Sequence, residues 1–143
     1  MLAIGCDQAG YDLKLEIMSD LDKKGIAYKD CGTYSADAVD YPVYAKAVVK
    51  EILSGNADKG ILICGTGIGV SITANRYKGI RAALCGDCFS AEATRLHNDA
   101  NVLCMGARVV GAGLAVKITD TFLNTPFSGA ERHARRIHMI DED

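Results

Sequence analysis

A three-layer α/β/α sandwich around a five-stranded parallel sheet is the architecture that this sequence predicts, on three observations. Five short apolar runs of strand length recur along the chain. Helix-length amphipathic segments separate them, the alternation that lays parallel strands between two helical layers in a Rossmann-like arrangement. The connections are short, with no internal repeat, low-complexity tract or linker. The 143 residues therefore predict a single domain with a substantial core.

Each element has its own local reason. The run LAIGC, 2–6, reads as a strand. YDLKLEIMSDLDKKG then puts Leu13, Ile17 and Leu21 on one helical face, and Gly25 stops the helix. IAYKDC, 26–31, is a weaker strand, and GTYSADAVDY a polar loop. Pro42 suits the first turn of a helix reaching about Ser54, with Ala45, Val48, Val49 and Ile52 on its buried side. KGILIC, 59–64, is apolar almost throughout, as a central strand covered on both faces must be. GIRAALC, 79–85, and NVLCMG, 101–106, repeat the pattern, each followed by a helical stretch. The last of these helices, about 111–124, ends near Asn124-Thr-Pro126, and a basic segment, ERHARRIHMI, follows.

Composition removes several function classes. A formal net charge of −2 gives no overall attraction to nucleic acid, and no apolar window is long enough to span a membrane. MLAIGCDQAG lacks the layout of a secretory signal, so a cytoplasmic setting with reduced thiols is the expectation. Four of the six cysteines sit at or near strand ends, where a free cysteine serves as a small hydrophobe. Only Cys85-Gly-Asp-Cys88 has redox or metal spacing, and no second pair completes a zinc site, so no metal is expected.

In an open α/β sheet, ligands bind beyond the carboxyl ends of the strands. There the chain puts Asp7 and Gln8, Cys31 to Thr33, Cys64 to Thr66, Cys85 to Asp87, and Met105 with Gly106. The stretch CGTGIG is the most informative. Gly65, Gly67 and Gly69 allow a sharp turn and close approach of backbone N–H groups to a ligand. Ile68 to Asn75 continues as a helix, whose start favours an anion and should lower the pKa of the adjacent Cys64 below the usual value of about 8.5. A base or nucleophile beside an oxyanion cradle is one outcome; a tight turn with a buried cysteine is the other. The glycines also resemble a dinucleotide fingerprint, with Asp87 following Gly65 by 22 residues. However, the third glycine comes one position early and the loop follows the third strand rather than the first. No Lys-Ser/Thr follows, which excludes an ordinary P-loop.

RLHNDAN places His97, Asn98 and Asp99 at a helix end, where a histidine can exchange protons near neutral pH or simply sit at the surface. Asp7 is a catalytic candidate or a loop cap. Arg108, Arg132, Arg135 and Arg136, with His133, offer forked donors suited to a phosphate dianion, or form a solvated basic tail.

The segments GCDQAGYDLK, DCGTYS, VDYP, ILICGTGIGVSITANR, GIRAALC, RLHNDANVL, GARVVG and RHARR, in that order, resemble the type B ribose-5-phosphate isomerases. These lie within a wider family that includes galactose- and allose-6-phosphate isomerases. The resemblance implies an aldose–ketose isomerase interconverting ribose 5-phosphate and ribulose 5-phosphate, or another sugar phosphate of the wider family, without metal or organic cofactor. It gives Cys64 the role of base, Thr66 a proton relay, and Gly65, Gly67 and Gly69 the enediolate. His97 with Asp7 would open the sugar ring. Asn98, Tyr41, Gln8 and Ser71 would bind the sugar phosphate, with Arg108, Arg132 and Arg136 on the phosphate. It also implies a homodimer or dimer of dimers with shared active sites, in which His97, Asn98 and Arg108 come from the neighbouring subunit. No nucleic acid or membrane partner is implied. Two departures touch the phosphate end: Gln8 stands where the family usually has histidine, and GAERH replaces its Gly-Gly-Arg-His.

Overall fold

The computed structural model describes residues 1–142. Five parallel strands form one sheet: β1 (Leu2–Cys6), β2 (Tyr28–Asp30), β3 (Lys59–Cys64), β4 (Ala82–Leu84) and β5 (Val102–Gly106), in the order β2-β1-β3-β5-β4. The helices are α1 (Tyr11–Lys23), α2 (Tyr41–Leu53), α3 (Ile68–Ala74), α4 (Cys88–Asn98), α5 (Ala112–Asn124) and α6 (Glu131–Ile140).

Handedness dictates the layers. Right-handed crossovers that move toward the β2 edge put their helices on one face, and those moving the other way put theirs on the opposite face. Accordingly Leu13, Ile17 and Leu21 of α1, Ala91 of α4, and Ala115, Ile118 and Phe122 of α5 pack on Ile4, Ile61, Ile63, Leu103 and Met105. Ala45, Val48 and Val49 of α2 with Val70 and Ala74 of α3 pack on Ala3, Leu62, Val102 and Cys104. The alternation along β3 and β5 is the two-residue period of a strand buried on both faces.

The outer strands are shorter than their apolar runs. In 79–85 only Ala82–Leu84 pairs with β5. The Asn75 side chain bonds both the N–H and the C=O of Ala82, at 2.8 and 2.9 Å, and the Asn101 side chain takes the Arg81 N–H at 2.8 Å. Side-chain amides thus replace ladder partners at the edge. The basic C-terminal segment is itself a helix, α6, which packs against α4.

Candidate active site

All five strands end on the same side of the sheet. The connection leaves β1 toward β2 but leaves β3 toward β4, so the crevice where chain direction reverses lies between the carboxyl ends of β1 and β3. Cys6 and Ile63 are register partners, and the Asp7 N–H donates to the Ile63 carbonyl at 3.2 Å. Asp7, Gln8, Cys64 and Gly65 therefore flank one crevice.

Cys64 ends β3 at 5% exposure, and its Sγ accepts the Gly67 N–H at 3.1 Å. That bond needs a tight turn, and Gly67 supplies it with φ of 78°. A Cβ there would also fall 2.5 Å from Leu84 Cδ1 and 2.7 Å from the Met105 carbonyl carbon. Gly106 lets the loop cross β5, since a Cβ at that position would meet the Thr66 backbone at 2.6 Å. Thr66 Oγ1 accepts the Ile68 N–H at 3.2 Å. The resemblance assigns Gly67 to the enediolate; in the structure its N–H goes to sulfur instead. With α3 only seven residues long, this direct bond is the polar contact the loop makes to the Cys64 sulfur.

The rest of this rim is positioned by backbone. Asp7, 7% exposed, uses Oδ1 to accept the Gly10 N–H at 3.1 Å, and so caps the short 3-10 turn Gln8–Gly10. Gln8 Oε1 accepts the Val39 N–H at 3.1 Å. Tyr41 begins α2, with Pro42 in its first turn, and its ring lies over Gly69. Ser71 donates its hydroxyl to the Ile68 carbonyl at 2.8 Å. Arg108 follows β5, gives its N–H to the Gly65 carbonyl at 3.0 Å, and lays its guanidinium across Gly65, 3.2 Å from where a Cβ would stand.

A second cluster stands apart. His97 and Asn98 end α4, and with Arg132, His133 and Arg136 of α6 they line a cleft of about 430 Å³. The His97 and His133 ring centroids are 4.7 Å apart, and Ser128 Oγ lies 2.7 Å from His133 Nδ1. Burial, then the Arg132, His97 and Arg136 charges, hold His133 below the usual histidine range. This cluster sits at the amino edge of the sheet. Asn101, three residues after Asn98, accepts the Gly60 N–H at 2.8 Å, at the opposite end of β3 from Cys64. The four residue steps from Gly60 to Cys64 span on the order of 13 Å. Within one chain, therefore, His97, Asn98, Arg132 and Arg136 do not converge with Cys64. Arg108, grouped by the resemblance with the neighbour's His97 and Asn98, instead lies on its own chain's Cys64 side.

Other thiols are quieter. All six cysteines are unpaired. Burial pushes Cys6 and Cys85 up to about 11, and Cys104 higher still. Among the described residues no cluster of His, Cys, Asp or Glu has metal-binding geometry, and no helix is long and apolar enough to cross a membrane. One important residue escaped the sequence. Lys14 is wholly buried, with Nζ 2.6 Å from Asp30 Oδ1 and 2.5 Å from the Thr33 carbonyl, beside the Tyr11 and Tyr34 rings. The signal was its place in the apolar stripe, three before Ile17 and seven before Leu21.

Comparison with known proteins matches this arrangement. Ribose-5-phosphate isomerase B of Escherichia coli is 47% identical over 139 residues, 97% of this chain and 93% of the relative. The galactose-6-phosphate isomerase subunit LacB of Clostridium acetobutylicum is 39% identical, over 99% of this chain and 82% of that protein. A crystal structure of a ribose 5-phosphate isomerase from Thermotoga maritima superimposes with a TM-score of 0.97 at 56% identity, covering 99% of this chain and 97% of that one. The family described as Ribose/Galactose Isomerase matches residues 2–140. On fold, identity and coverage together, the chain belongs to the ribose/galactose isomerase family.

Proposed function

We propose that the chain interconverts ribose 5-phosphate and ribulose 5-phosphate through an enediolate, with Cys64 as the base. The observation that carries this is the Cys64 sulfur at the carboxyl end of β3, held by the Gly67 N–H at 3.1 Å. The names of the relatives, and identities near one half across the whole chain, support the substrate class.

A proton on a carbon beside a carbonyl is weakly acidic, so the base must be desolvated and the new oxyanion stabilised in place. His97 with Asp7 opens the furanose ring. The Cys64 thiolate takes the C2 proton, the electron pair forms the C1–C2 double bond, and the aldehyde oxygen becomes an oxyanion facing the loop amides at Gly65 and Gly69. Thr66 relays the O2 proton to O1. The Cys64 thiol then returns its proton to C1, leaving the ketone at C2. Tyr41, Gln8, Ser71 and Asn98 bind along the sugar, and Arg108, Arg132 and Arg136 hold the phosphate, whose binding aligns the reacting carbons.

Because the two clusters lie at opposite edges of one chain, a complete site needs a second copy, as a homodimer or within a dimer of dimers. Ile68, Ile72, Leu84, Phe89 and Val109 are exposed on the end of β4 and on the loops and helices around the glycine turn, where a copy would cover them.

The test is optical conversion of ribose 5-phosphate with wild type and Cys64→Ala. Undiminished turnover in the variant removes the thiol from the mechanism. Gln8 favours a second possibility, a six- or four-carbon sugar phosphate. A tenfold preference for such a substrate, about 1.4 kcal/mol in transition-state binding, would displace ribose 5-phosphate.

A further inference from the structure

Between Asp30 and Tyr41 the chain has no regular secondary structure, and from Tyr34 to Asp40 it is exposed except at half-buried Val39. Three bonds of this stretch stay within or next to it: the Tyr34 hydroxyl to the Asp30 carbonyl, the Asp37 N–H to Ser35 Oγ, and the Val43 N–H to the Asp40 carbonyl. The bond reaching the sheet's rim joins the Val39 N–H to Gln8 Oε1 at 3.1 Å. Two residues later comes Tyr41, whose ring covers Gly69 of the glycine loop. Gln8 itself is set by the turn that Asp7 caps.

We infer that Gln8 is a positioning residue, a latch that fastens the 34–40 segment to the β1–β3 crevice and thereby seats Tyr41 on Gly69. The bond dictates the orientation of the amide, because only the oxygen can accept from a peptide N–H. Gln8 then keeps its neutral N–H2 as donor. Imidazole can accept at one nitrogen only while that nitrogen is unprotonated, so a histidine latch would open on protonation. An amide latch holds at any pH. A segment of seven residues with one such anchor opens locally at small cost when the anchor goes. The inference rests on the isomerase proposal only for its kinetic consequence.

Hydrogen exchange followed by mass spectrometry tests the latch directly, with kinetics on ribose 5-phosphate alongside. Gln8→Met removes the acceptor, and peptides spanning 34–40 should exchange about tenfold faster, with KM rising and kcat falling as Tyr41 loosens. Gln8→Glu keeps an acceptor for Val39, so exchange over 34–40 should stay within about twofold of wild type, any loss then falling on KM through the added charge. Wild-type exchange in Gln8→Met overturns the latch, and so does equally fast exchange in Gln8→Glu. Because exchange needs no turnover, an inactive wild type would reject the isomerase proposal while the latch is judged separately.

Discussion

The ring of Tyr41 lies so close over Gly69 that a methyl group there would fall 2.5 Å from Cε1 and 2.6 Å from Cζ. Tyr41 is 40% exposed and can swing aside. Gly69→Ala should therefore cost less than about 1 kcal/mol of stability but displace a side chain from the crevice. By contrast Gly106→Ala meets the Thr66 backbone at 2.6 Å, which cannot swing, and should cost about 1–3 kcal/mol. Melting and turnover of both variants check this: Gly69→Ala should melt like wild type with kcat/KM down about tenfold, about 1.4 kcal/mol. Full activity there would detach Tyr41 from the site.

Lys14 carries the second prediction. Its ammonium has no exposure and bonds a carboxylate that is 26% exposed together with a backbone carbonyl. Lys14→Met takes this donor from the Thr33 carbonyl and leaves Asp30 Oδ1 with the Gly32 N–H, at 2.9 Å. Since Asp30 retains some water, the loss should be about 2–4 kcal/mol rather than the full buried-pair cost. That corresponds to roughly 6–12 °C in Tm for a domain of this size. A shift under about 2 °C would show that the pair contributes little.

Local features were the legible ones. The continuous apolar run of β3, the glycines after Cys64 and the proline opening α2 are each decided within a few residues, and all three elements stand where the pattern puts them. Asp7 is a cap in the structure, one of the two roles its sequence position offers. What could not be seen was set by distant partners. Insertion of β5 between β3 and β4 depends on non-local pairing, as does the shortening of β4 by Asn75 and Asn101. The burial of Lys14 depends on Asp30 and Thr33, which are more than a dozen residues away. The place of Arg108 was hidden for the same reason, since nothing local announces that it will lie across Gly65.

His133 makes stability depend on pH. Its folded pKa lies below its unfolded value, so the unfolded chain takes up the proton first as pH falls. The stabilisation is complete above about pH 6.5 and is lost progressively below it. Tm measured from pH 8 to pH 5 should fall more steeply for wild type than for His133→Gln, because every other ionisable group is present in both. Parallel curves would remove His133 as the cause.

Thiol chemistry should separate Cys64 from its neighbours. Cys6 and Cys85, raised to about 11, hold roughly one thiolate in three thousand at pH 7.5, and Cys104 fewer. Brief iodoacetamide treatment at that pH should leave these three unlabelled while activity falls in step with Cys64 modification, and ribose 5-phosphate should protect. Peptide mass mapping reads the order directly. Loss of activity that tracks Cys85 would contradict the proposed base.

The separation of Cys64 from His97 along β3 yields the strongest test of the two-copy site. Cys64→Ala and His97→Asn should each be nearly inactive alone, with losses of about 10² to 10⁴. In a mixed dimer one site would collect both substitutions and the other neither. Random pairing of equal amounts makes half the dimers mixed, each with one intact site of two, so turnover should recover to about a quarter of wild type. The two variants should be mixed under conditions that exchange subunits, then assayed on ribose 5-phosphate. A mixture that stays as inactive as its parents, with exchange verified by mass, would place Cys64 and His97 in the same chain's site, against the geometry of β3 and α4.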